Sequence, residues 1–372
     1  MVRNRKVFKK TVSIVNEKST DMYESLVGDK KGFLLESYDK NSDRYTFFGM
    51  EPEEIVTSRG NALVITKADG TEEVREGNPL ERLKEYYSEF HIEKEDEELS
   101  FSGGLVGNLG YDFVRYSEVL PDNNPDEIGI ETIQMMLMTS FLMVDHVAET
   151  LTAVVLEEPS EEGREQAMEK AGQMIKKAME KKECKRNFYH DGKIIKKSDS
   201  IEEYGEKVEK IKHYIREGHV FQTVLSQRWT IETRQTGFEL YKELRELNPS
   251  PYLYYFNYGT FEVIGSSPEM IVKKQGNKVF TCPIAGTRKR GKDEAEDKRL
   301  RDELLSDEKE RAEHVMLVDL ARNDMGRISE FGTVKVTQFM EVQNYSHVMH
   351  IGSTVRGEID EKHDALDAIE AV

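Results

Sequence analysis

The ten residues CPIAGTRKRG, Cys282–Gly291, mark the point where the pattern of this chain changes from strand to helix. A short apolar stretch leads into a Gly-Thr turn, and three cations, Arg288, Lys289 and Arg290, follow at once. A Gly-Thr turn offers backbone N–H groups and a hydroxyl to a carboxylate, and adjacent cations add a favourable field unless they are merely solvated. The stretch therefore predicts an anion-binding turn at the end of a strand.

The sequence around this turn alternates between short strands and helices. Two helix starts carry capping boxes, Ser200 with Glu203 and Thr236 with Glu239, and a long charged helix is predicted over 297–322. The apolar residues within 201–215 share one face of the first of these helices. Strands are predicted at 219–231, 252–258, 261–265, 270–274, 279–286, 333–339 and 347–359, and a last helix starts at 364.

The first half of the chain consists of strands followed by one helix. The predicted strands are 32–38, 45–50, 62–70, 101–112, 135–144 and 151–156. An Ala and Met stripe over 167–179 predicts a helical packing face, and polar residues 185–199 follow it. We place a boundary there, which divides the chain into an N-terminal region, 1–195, and a core, 196–372. This mixture of elements predicts an α+β fold with large antiparallel sheets.

The charge balance excludes some classes of partner. With 53 Lys and Arg against 71 Asp and Glu, the net charge is −18, which disfavours a nucleic-acid or anionic-membrane surface. An anionic ligand must then be held by a local cluster or by a metal. Two cysteines, Cys184 and Cys282, cannot form a disulfide framework, so a cytoplasmic location is expected. The longest apolar run, 135–144, is too short to cross a bilayer.

Two acidic positions are candidates for chemistry. Glu310 and Glu313 lie three residues apart on the predicted helix, so their carboxylates share one face and could hold a hard cation such as Mg²⁺. A solvated charged face explains the same spacing. Glu269 follows a Ser-Ser-Pro turn between two strands, and a partly desolvated glutamate there could act as a general acid.

Two histidines lie in the last predicted strand. His347 and His350 are three apart, so on a strand their side chains point to opposite faces and would not bind one metal together. One of them could serve as a catalytic imidazole. The residues alone thus indicate an α+β enzyme with an anionic substrate.

Ordered blocks along the chain resemble the chorismate-utilising enzymes, and within them the anthranilate synthase component I family. The N-terminal blocks are LLESYDKNSDRYTFFGMEP (34–52) and GGLVGNLGYD (103–112). The core blocks are FQTVLSQRW (221–229), NPSPYLYYF (248–256), IGSSPEMIVK (264–273), PIAGTRKRG (283–291), DEKERAEHVMLVDLARNDMGRIS (307–329) and NYSHVMHIGSTVRGEI (344–359). The resemblance implies large antiparallel sheets with helices packed outside, and a cytoplasmic enzyme.

Two positions in these blocks separate the chemistries of the family. Relatives that add water to chorismate have a lysine base where this sequence has Gln222, and aminodeoxychorismate synthases usually have a lysine nucleophile where it has Ala285. The resemblance therefore implies direct attack of ammonia on C2 of chorismate, which gives anthranilate. Gly286 and Thr287 would hold the substrate.

The resemblance also implies roles for the acidic and histidine side chains. Glu310 and Glu313 would bind Mg²⁺, Glu269 would protonate the departing C4 hydroxyl, and His350 would assist pyruvate elimination. Ammonia would come from a glutamine amidotransferase subunit, component II. Two alternatives stay open: an aminodeoxychorismate synthase component I, and a non-catalytic remnant that binds tryptophan or the amidotransferase.

A feedback site for tryptophan is implied by two further segments. Its predicted contacts are Leu35, Glu36, Ser37, Pro251, Tyr252 and Leu253. A buried strand edge and a proline-stiffened turn would explain the same residues. Family members continue past DALDAIEAV (364–372) with further active-site residues, so we expect this chain to be C-terminally truncated and, alone, inactive or nearly so.

Overall fold

The computed structural model describes residues 2–15, 17–37, 44–93, 99, 101–180, 189, 191–345 and 347–372. The strands in these ranges are β1 (Arg3–Ser13), β2 (Gly32–Glu36), β3 (Tyr45–Met50), β4 (Glu54–Ser58), β5 (Ala62–Lys67), β6 (Glu72–Glu76), β7 (Phe90–Glu93), β8 (Gly104–Leu109), β9 (Ile133–Met138), β10 (Ser140–Asp145), β11 (Thr150–Glu157), β12 (Lys193–Lys197), β13 (Trp229–Glu232), β14 (Tyr252–Asn257), β15 (Glu262–Ser267), β16 (Lys273–Gln275), β17 (Lys278–Thr281), β18 (Ile284–Lys289), β19 (Lys335–Asn344) and β20 (Val348–Glu358). The α-helices are α1 (Ser19–Leu26), α2 (Pro79–Ser88), α3 (Glu161–Ala178), α4 (Ile201–Arg216), α5 (Gly237–Leu247), α6 (Glu294–Ser306), α7 (Glu308–Ile328) and α8 (Ala365–Ala371), and Tyr111–Tyr116 form a 3₁₀ helix.

Three sheets carry most of these strands. The largest has eight strands in the order β15-β14-β2-β3-β10-β11-β1-β7, and every pair in it is antiparallel except β1 with β7. A five-stranded antiparallel sheet has the order β6-β5-β4-β9-β8. In a third sheet, β20 pairs with β17 and β18 in succession and also with β19. The predicted α+β fold with large antiparallel sheets is confirmed.

The chain divides into two compact units. The larger contains residues 1–182 and 241–372, and the smaller contains 183–240. The chain re-enters the larger unit because β14, far along the sequence, completes the eight-stranded sheet by pairing with β2. The sequence boundary predicted at residue 195 falls inside the smaller unit. The division of the sequence into 1–195 and 196–372 stays a prediction.

The smaller unit contains α4 and the antiparallel pair of β12 and β13. The capping box of Ser200 and Glu203 forms as predicted, and α4, whose residues are all described, buries none of them. The strand predicted at 219–231 is wrong over most of its length, since only Trp229–Glu232 form a strand. An extended segment becomes a strand only where another backbone pairs with it, and in the described structure 219–228 form no such ladder.

Two predicted elements are each divided in two. The stretch 135–144 leaves β9 in the five-stranded sheet at Met138 and enters β10 in the eight-stranded sheet at Ser140. The helix predicted over 297–322 is α6 and α7, because Asp307 has extended backbone angles and its carboxylate caps α7 by accepting from the N–H groups of Lys309 and Glu310.

The helices pack on the sheets through apolar faces. The predicted stripe of α3 is confirmed for Ala167, Ala171, Met174 and Ala178, which are buried, but it is wrong for Met168, which is 36% exposed. Leu366 of α8 packs with α2 and the five-stranded sheet, whereas Ala368 and Ala371 pack with α7 and β20. This short helix therefore joins two parts of the core. Burial of its leucine side chain contributes about 1.5–3 kcal/mol to stability. No helix in the described residues is long and apolar enough to cross a membrane.

Candidate active site

The site is built around an irregularity in the third sheet. Two residues of β18, Gly286 and Thr287, lie opposite the single residue His350 of β20, where the register between the strands shifts. This is a β-bulge, and Gly286 takes the left-handed conformation, with φ of +68°, that glycine adopts without strain. The bulge turns the side chain of Thr287 toward His350.

Hydrogen bonds determine which nitrogen of His350 carries its proton. Nδ1 lies 2.8 Å from the carbonyl oxygen of Gly286 and 3.1 Å from Oγ1 of Thr287. A carbonyl oxygen can only accept, so Nδ1 must donate to it. In the neutral imidazole Nε2 then carries the lone pair and is the atom that can take up a proton.

Glu269 reaches the same place from the end of β15. Its backbone N–H donates to Oγ of Ser267 at 3.2 Å, and its carboxyl group accepts from the N–H of Ile284 in β18. Partial burial of the carboxyl raises the pKa of Glu269 above its ordinary value, although the Ile284 hydrogen bond and the charge of His350 oppose the shift. Much of the side chain remains exposed. The arrangement is suited to holding a proton.

Helix α7 brings a carboxylate against the bulge. Oε2 of Glu310 lies 3.1 Å from the position that a Cβ atom would occupy on Gly286. Glu313 lies one turn further along α7, and both glutamates are half-buried. The structure therefore brings Glu269, Gly286, Thr287, Glu310 and His350 together, and these five residues are called the candidate site below.

Two of the three cations that follow the turn, Arg288 and Arg290, are engaged by acidic residues of the same chain. Arg288 forms ion pairs with Glu303 at 3.1 Å and with Asp307 at 2.9 Å. Arg290 donates from Nε to the carboxylate of Asp297 at 3.0 Å. These arginines are neither merely solvated nor reserved for a ligand, and they anchor the turn to α6 and α7.

The acidic pair on α7 fits Mg²⁺ in its chemistry. Glu310 Oε1 is 3.9 Å from Nη1 of Arg288, too far for a hydrogen bond, so this ion pair is loose. Mg²⁺ commonly takes one or two carboxylates together with water and substrate oxygens. Within the described residues no group of three or more His, Cys, Asp or Glu could hold a metal ion. A metal at Glu310 and Glu313 stays a prediction.

Two of the predicted specificity residues lie in different units. Ala285 belongs to β18 in the larger unit, where it pairs with Ile351 and is buried. Gln222 is an exposed residue of the irregular segment 219–228 in the smaller unit. His347 is exposed just before β20, and its carbonyl accepts from the N–H of Arg290.

The segments predicted to bind tryptophan are brought together by strand pairing. In the eight-stranded sheet Leu253 lies opposite Glu36, and Tyr254 lies opposite Leu35. The predicted inhibitor segment consists of Leu35, Glu36, Ser37, Pro251, Tyr252 and Leu253. Leu253 is buried, and Tyr252 is 41% exposed.

Within this segment, the side chain of Glu36 is committed to the fold. Its carboxylate accepts from the hydroxyls of Ser19 and Tyr241 and from Nε of Arg245, the last at 2.8 Å. Only 2% of its side chain is exposed. A contact from this carboxylate to an inhibitor would have to displace one of these partners.

Some contacts at the site were not predicted from the sequence. Ser267 positions the backbone of Glu269, and Asp307 both caps α7 and pairs with Arg288. His314 of α7 is fully buried and contacts Ser353 of β20. Asp307 could have been found as a capping residue before a charged helix. The partner of His314 could not, since it lies 39 residues away.

Comparison with known proteins agrees with this geometry. A family model described as chorismate binding enzyme matches residues 32–372. The chain belongs to this family. It is 40% identical over 353 residues to anthranilate synthase component 1 of Acetivibrio thermocellus, covering 91% of this chain and 71% of the relative. It is 36% identical over 387 residues to aminodeoxychorismate synthase component 1 of Bacillus subtilis, covering 98% and 77%.

A solved structure confirms the fold of this chorismate-binding enzyme. Anthranilate synthase component I from Streptococcus pneumoniae superposes with a TM-score of 0.78 at 34% sequence identity. The match covers 88% of this chain and 72% of that one. The resemblance inferred from the sequence blocks is thus confirmed, as is the class of enzyme that it implied.

Proposed function

We propose that this chorismate-binding enzyme is the large subunit of an anthranilate synthase. The reaction combines chorismate with ammonia and yields anthranilate, pyruvate and water. The observation that carries the proposal is the candidate site, where a bulge places Thr287 beside His350 while Glu269 and Glu310 approach the same turn. A proton donor, a proton acceptor and a substrate-holding turn are therefore in reach of one bound molecule.

Glu269 would act in the first step as the general acid. Ammonia forms a bond to C2 of chorismate, the ring double bonds shift, and the C4 hydroxyl departs as water with the proton of Glu269. A raised pKa supports this role, because a carboxyl that retains its proton nearer to neutral pH is available to donate it. The proton lost by the ammonium nitrogen balances the step.

His350 would act in the second step. The proton on C2 is removed, the bond between C3 and the enolpyruvyl oxygen breaks, and the ring becomes aromatic as the enolate of pyruvate leaves. The enolate takes up a proton at its methylene carbon to become pyruvate, so the proton removed from C2 is balanced. With Nδ1–H held by Gly286, the Nε2 lone pair of His350 is suited to accept this proton. The oxygen of Thr287 can only accept from Nδ1–H of His350, so its hydroxyl hydrogen would be free to donate to a substrate oxygen.

Glu310 and Glu313 are the residues that would hold Mg²⁺. When bound, the ion would neutralise and orient the ring carboxylate of chorismate. Without an ion, the two carboxylates would repel a dianionic substrate. A pair of glutamates beside an anion-binding turn is therefore expected only in a metal-dependent enzyme.

Ala285 favours the 2-amino product over the 4-amino isomer. Its buried methyl group cannot act as a nucleophile toward chorismate, so ammonia attacks C2 directly. Gln222 is neutral and cannot deprotonate water, which disfavours the water-adding reaction. Aminodeoxychorismate synthase is the second candidate, because a relative of that name is 36% identical over 98% of this chain.

Regulation and assembly are part of the same proposal. Tryptophan would bind at the predicted inhibitor segment as a feedback inhibitor of this first step of tryptophan biosynthesis. The pairing of β2 with β14 supports this, because it brings the two halves of the segment side by side. A glutamine amidotransferase subunit would supply ammonia in the cytoplasm.

The test is an assay of purified protein with chorismate, Mg²⁺ and ammonium at mildly alkaline pH, followed by anthranilate fluorescence. The 372-residue chain is measured as given and beside the full product of the reading frame that encodes it, which also tests whether this chain is active alone. Anthranilate formation supports the proposal, and formation of 4-amino-4-deoxychorismate assigns the second candidate. Folded protein of the complete frame that consumes no chorismate would overturn both.

A further inference from the structure

Ser353 of β20 is buried at 1% exposure and hydrogen-bonds to three other segments of the chain. Its backbone N–H donates at 3.1 Å to the carbonyl of Pro283, which directly precedes β18. Its hydroxyl oxygen accepts from the N–H of Met340 in β19 at 3.0 Å and lies 2.6 Å from Nε2 of His314 in α7. These bonds connect β20 with β19, with α7 and with the residue that leads into β18.

The hydrogen-bonding capacity at this junction is almost fully used. The N–H of Met340 can only donate, so the hydroxyl oxygen of Ser353 accepts from it. The contact with His314 runs in either direction, from the hydroxyl hydrogen to Nε2 or from Nε2–H to the second lone pair of the hydroxyl oxygen. His314 is fully buried, and its Nδ1 has no hydrogen-bond partner among the described residues.

The surroundings of this junction are costly as a way to fill space. A buried ring nitrogen without a partner loses about 1–3 kcal/mol relative to hydration. Met340 adds a second cost, because its φ of +56° lies in the left-handed region that residues other than glycine rarely adopt. An apolar residue at position 314 would pack in the same space without the unpartnered nitrogen, so packing alone does not account for the pair.

The junction lies beside the residues of the candidate site along each chain segment. His314 is one helical turn after Glu310 and adjacent to Glu313. Ser353 is three residues after His350 on the same strand, and Pro283 precedes the bulge at Gly286. The hydrogen bonds of Ser353 therefore set the distance between the helix with the glutamates and the strands with the turn and the histidine.

We propose that Ser353, through His314, is a positioning residue for chorismate turnover. Its side chain contacts neither the carbonyl oxygen of Gly286 nor the imidazole of His350. It acts by holding α7 in register with β18 and β20. The proposal rests on the proposed function for its kinetic consequence. Its structural part, the hydrogen-bonded link between α7 and β20, stands on the distances alone.

Four variants of the complete reading frame test the link. Ser353→Ala removes the hydroxyl, and His314→Leu removes the ring nitrogen that the hydroxyl contacts. His314→Gln restores an amide group near the position of Nε2, which has both an acceptor oxygen and an N–H donor. The matched control is Ser329→Ala at the end of α7, because the hydroxyl of Ser329 is also buried but has no partner among the described residues.

The kinetic result expected is a split between kcat and KM. Misplacement by about 1 Å can cost on the order of 100-fold in rate, so Ser353→Ala and His314→Leu should each lower kcat by about 10- to 100-fold. The KM for chorismate should change by less than about threefold, since no substrate contact is lost. His314→Gln should recover most of kcat, and Ser329→Ala should match the wild type. A double variant that combines Ser353→Ala with His314→Leu should be no worse than Ser353→Ala alone.

Hydrogen exchange gives a readout that does not depend on activity. In Ser353→Ala the amides of Met340 and of residues 286–288 should exchange at least about tenfold faster than in Ser329→Ala. The N–H of Met340 loses its acceptor, and the sheet that carries the Gly286–Thr287 turn loses its hydrogen bond to α7. Unchanged exchange, or equal kcat in Ser353→Ala and Ser329→Ala, would overturn the proposal. If the wild type consumes no chorismate, the proposed function fails, and the exchange result still decides whether the link exists.

Discussion

The candidate site and the predicted inhibitor segment were both identified by sequence motifs, but the structure uses their charged residues in opposite ways. At the candidate site the acidic residues Glu269 and Glu310 are held by backbone contacts and a loose ion pair, so their carboxyl groups stay available. In the inhibitor segment the carboxylate of Glu36 is saturated by Ser19, Tyr241 and Arg245. A motif residue can thus serve the fold at one place and chemistry at another.

The two regions also differ in how regular their backbone pairing is. The candidate site depends on a bulge with a left-handed glycine, whereas the inhibitor segment lies on regular antiparallel pairing of β2 with β14. Irregular backbone re-aims side chains at functional sites, and regular pairing stabilises. Substitutions should therefore separate the regions, with losses of rate in the first and losses of stability in the second.

The largest effect is expected for Glu269→Gln. Removing a general acid costs about 10²–10⁴ in rate, so kcat should fall in that range while the free energy of unfolding changes by less than about 0.5 kcal/mol. Steady-state anthranilate formation and urea unfolding measure the two quantities. Glu72→Gln, an exposed glutamate paired with Arg59, is the control. A fall in kcat below tenfold would contradict the assignment of Glu269.

Glu36→Ala should give the reverse pattern. It removes the buried carboxylate that accepts from Arg245 and from the hydroxyl of Tyr241, which should lower the free energy of unfolding by about 3 kcal/mol. The matched control, Glu72→Ala, breaks an exposed ion pair and should cost less than about 1 kcal/mol. Urea unfolding compares them. Equal losses in both variants would show that Glu36 does not stabilise the fold in this way.

Gly286→Ala sharpens the comparison because this chain contains a matched control glycine, Gly276. Gly286 and Gly276 have similar φ, +68° and +60°, but a Cβ on Gly286 would meet Leu304 Cδ1 at 3.0 Å, whereas one on Gly276 meets nothing within 4 Å. Both alanine variants should lose about 1 kcal/mol of stability from backbone strain. Only Gly286→Ala should also lose kcat, by about tenfold or more, since the bulge must shift. Similar kcat values for the two variants would contradict this.

The smallest effect is a pH dependence of stability due to Glu269. Its pKa is raised in the folded protein above the ordinary value of 4.5, so the folded state binds its proton more tightly than the unfolded state. The contribution is present below pH 4.5 and is lost as the pH rises through the folded pKa. Because the side chain is largely exposed, it should amount to less than about 1 kcal/mol. Unfolding curves of wild type and Glu269→Gln across this range measure it; an opposite sign would refute the raised pKa.

Local patterns predicted many of the elements correctly. The capping boxes at Ser200 and Thr236, the stripe of α3 and the strand at 45–50 appear as predicted, because each depends on neighbours within a few residues. The strand predicted at 219–231 and the unbroken helix over 297–322 were wrong. In the first case no ladder forms in the described part of the chain, and in the second the capping carboxylate of Asp307 interrupts the helix.

The candidate site was predictable to a similar extent. The motifs indicated five residues, Glu269, Gly286, Thr287, Glu310 and His350. The spacing of each was explained equally well by a purely structural role. The fact that these residues meet depends on the pairing of β18 with β20, on the hydrogen bond from the Ile284 N–H to the Glu269 carboxyl and on the packing of α7. These contacts join positions up to 81 residues apart (His350 minus Glu269). Ser353 and His314 were missed since nothing local distinguishes a buried serine from any other.

The sequence by itself determined the charge balance, the helix starts, the family blocks and the residue types available for chemistry, because these are properties of single positions and close neighbours. Only the tertiary structure decided which carboxylates stay available and which are saturated. It also decided that Arg288 and Arg290 anchor the turn and that one bulge brings Thr287 to His350. Those outcomes depend on contacts between residues distant in sequence, whose free energies exist only once the strands have paired.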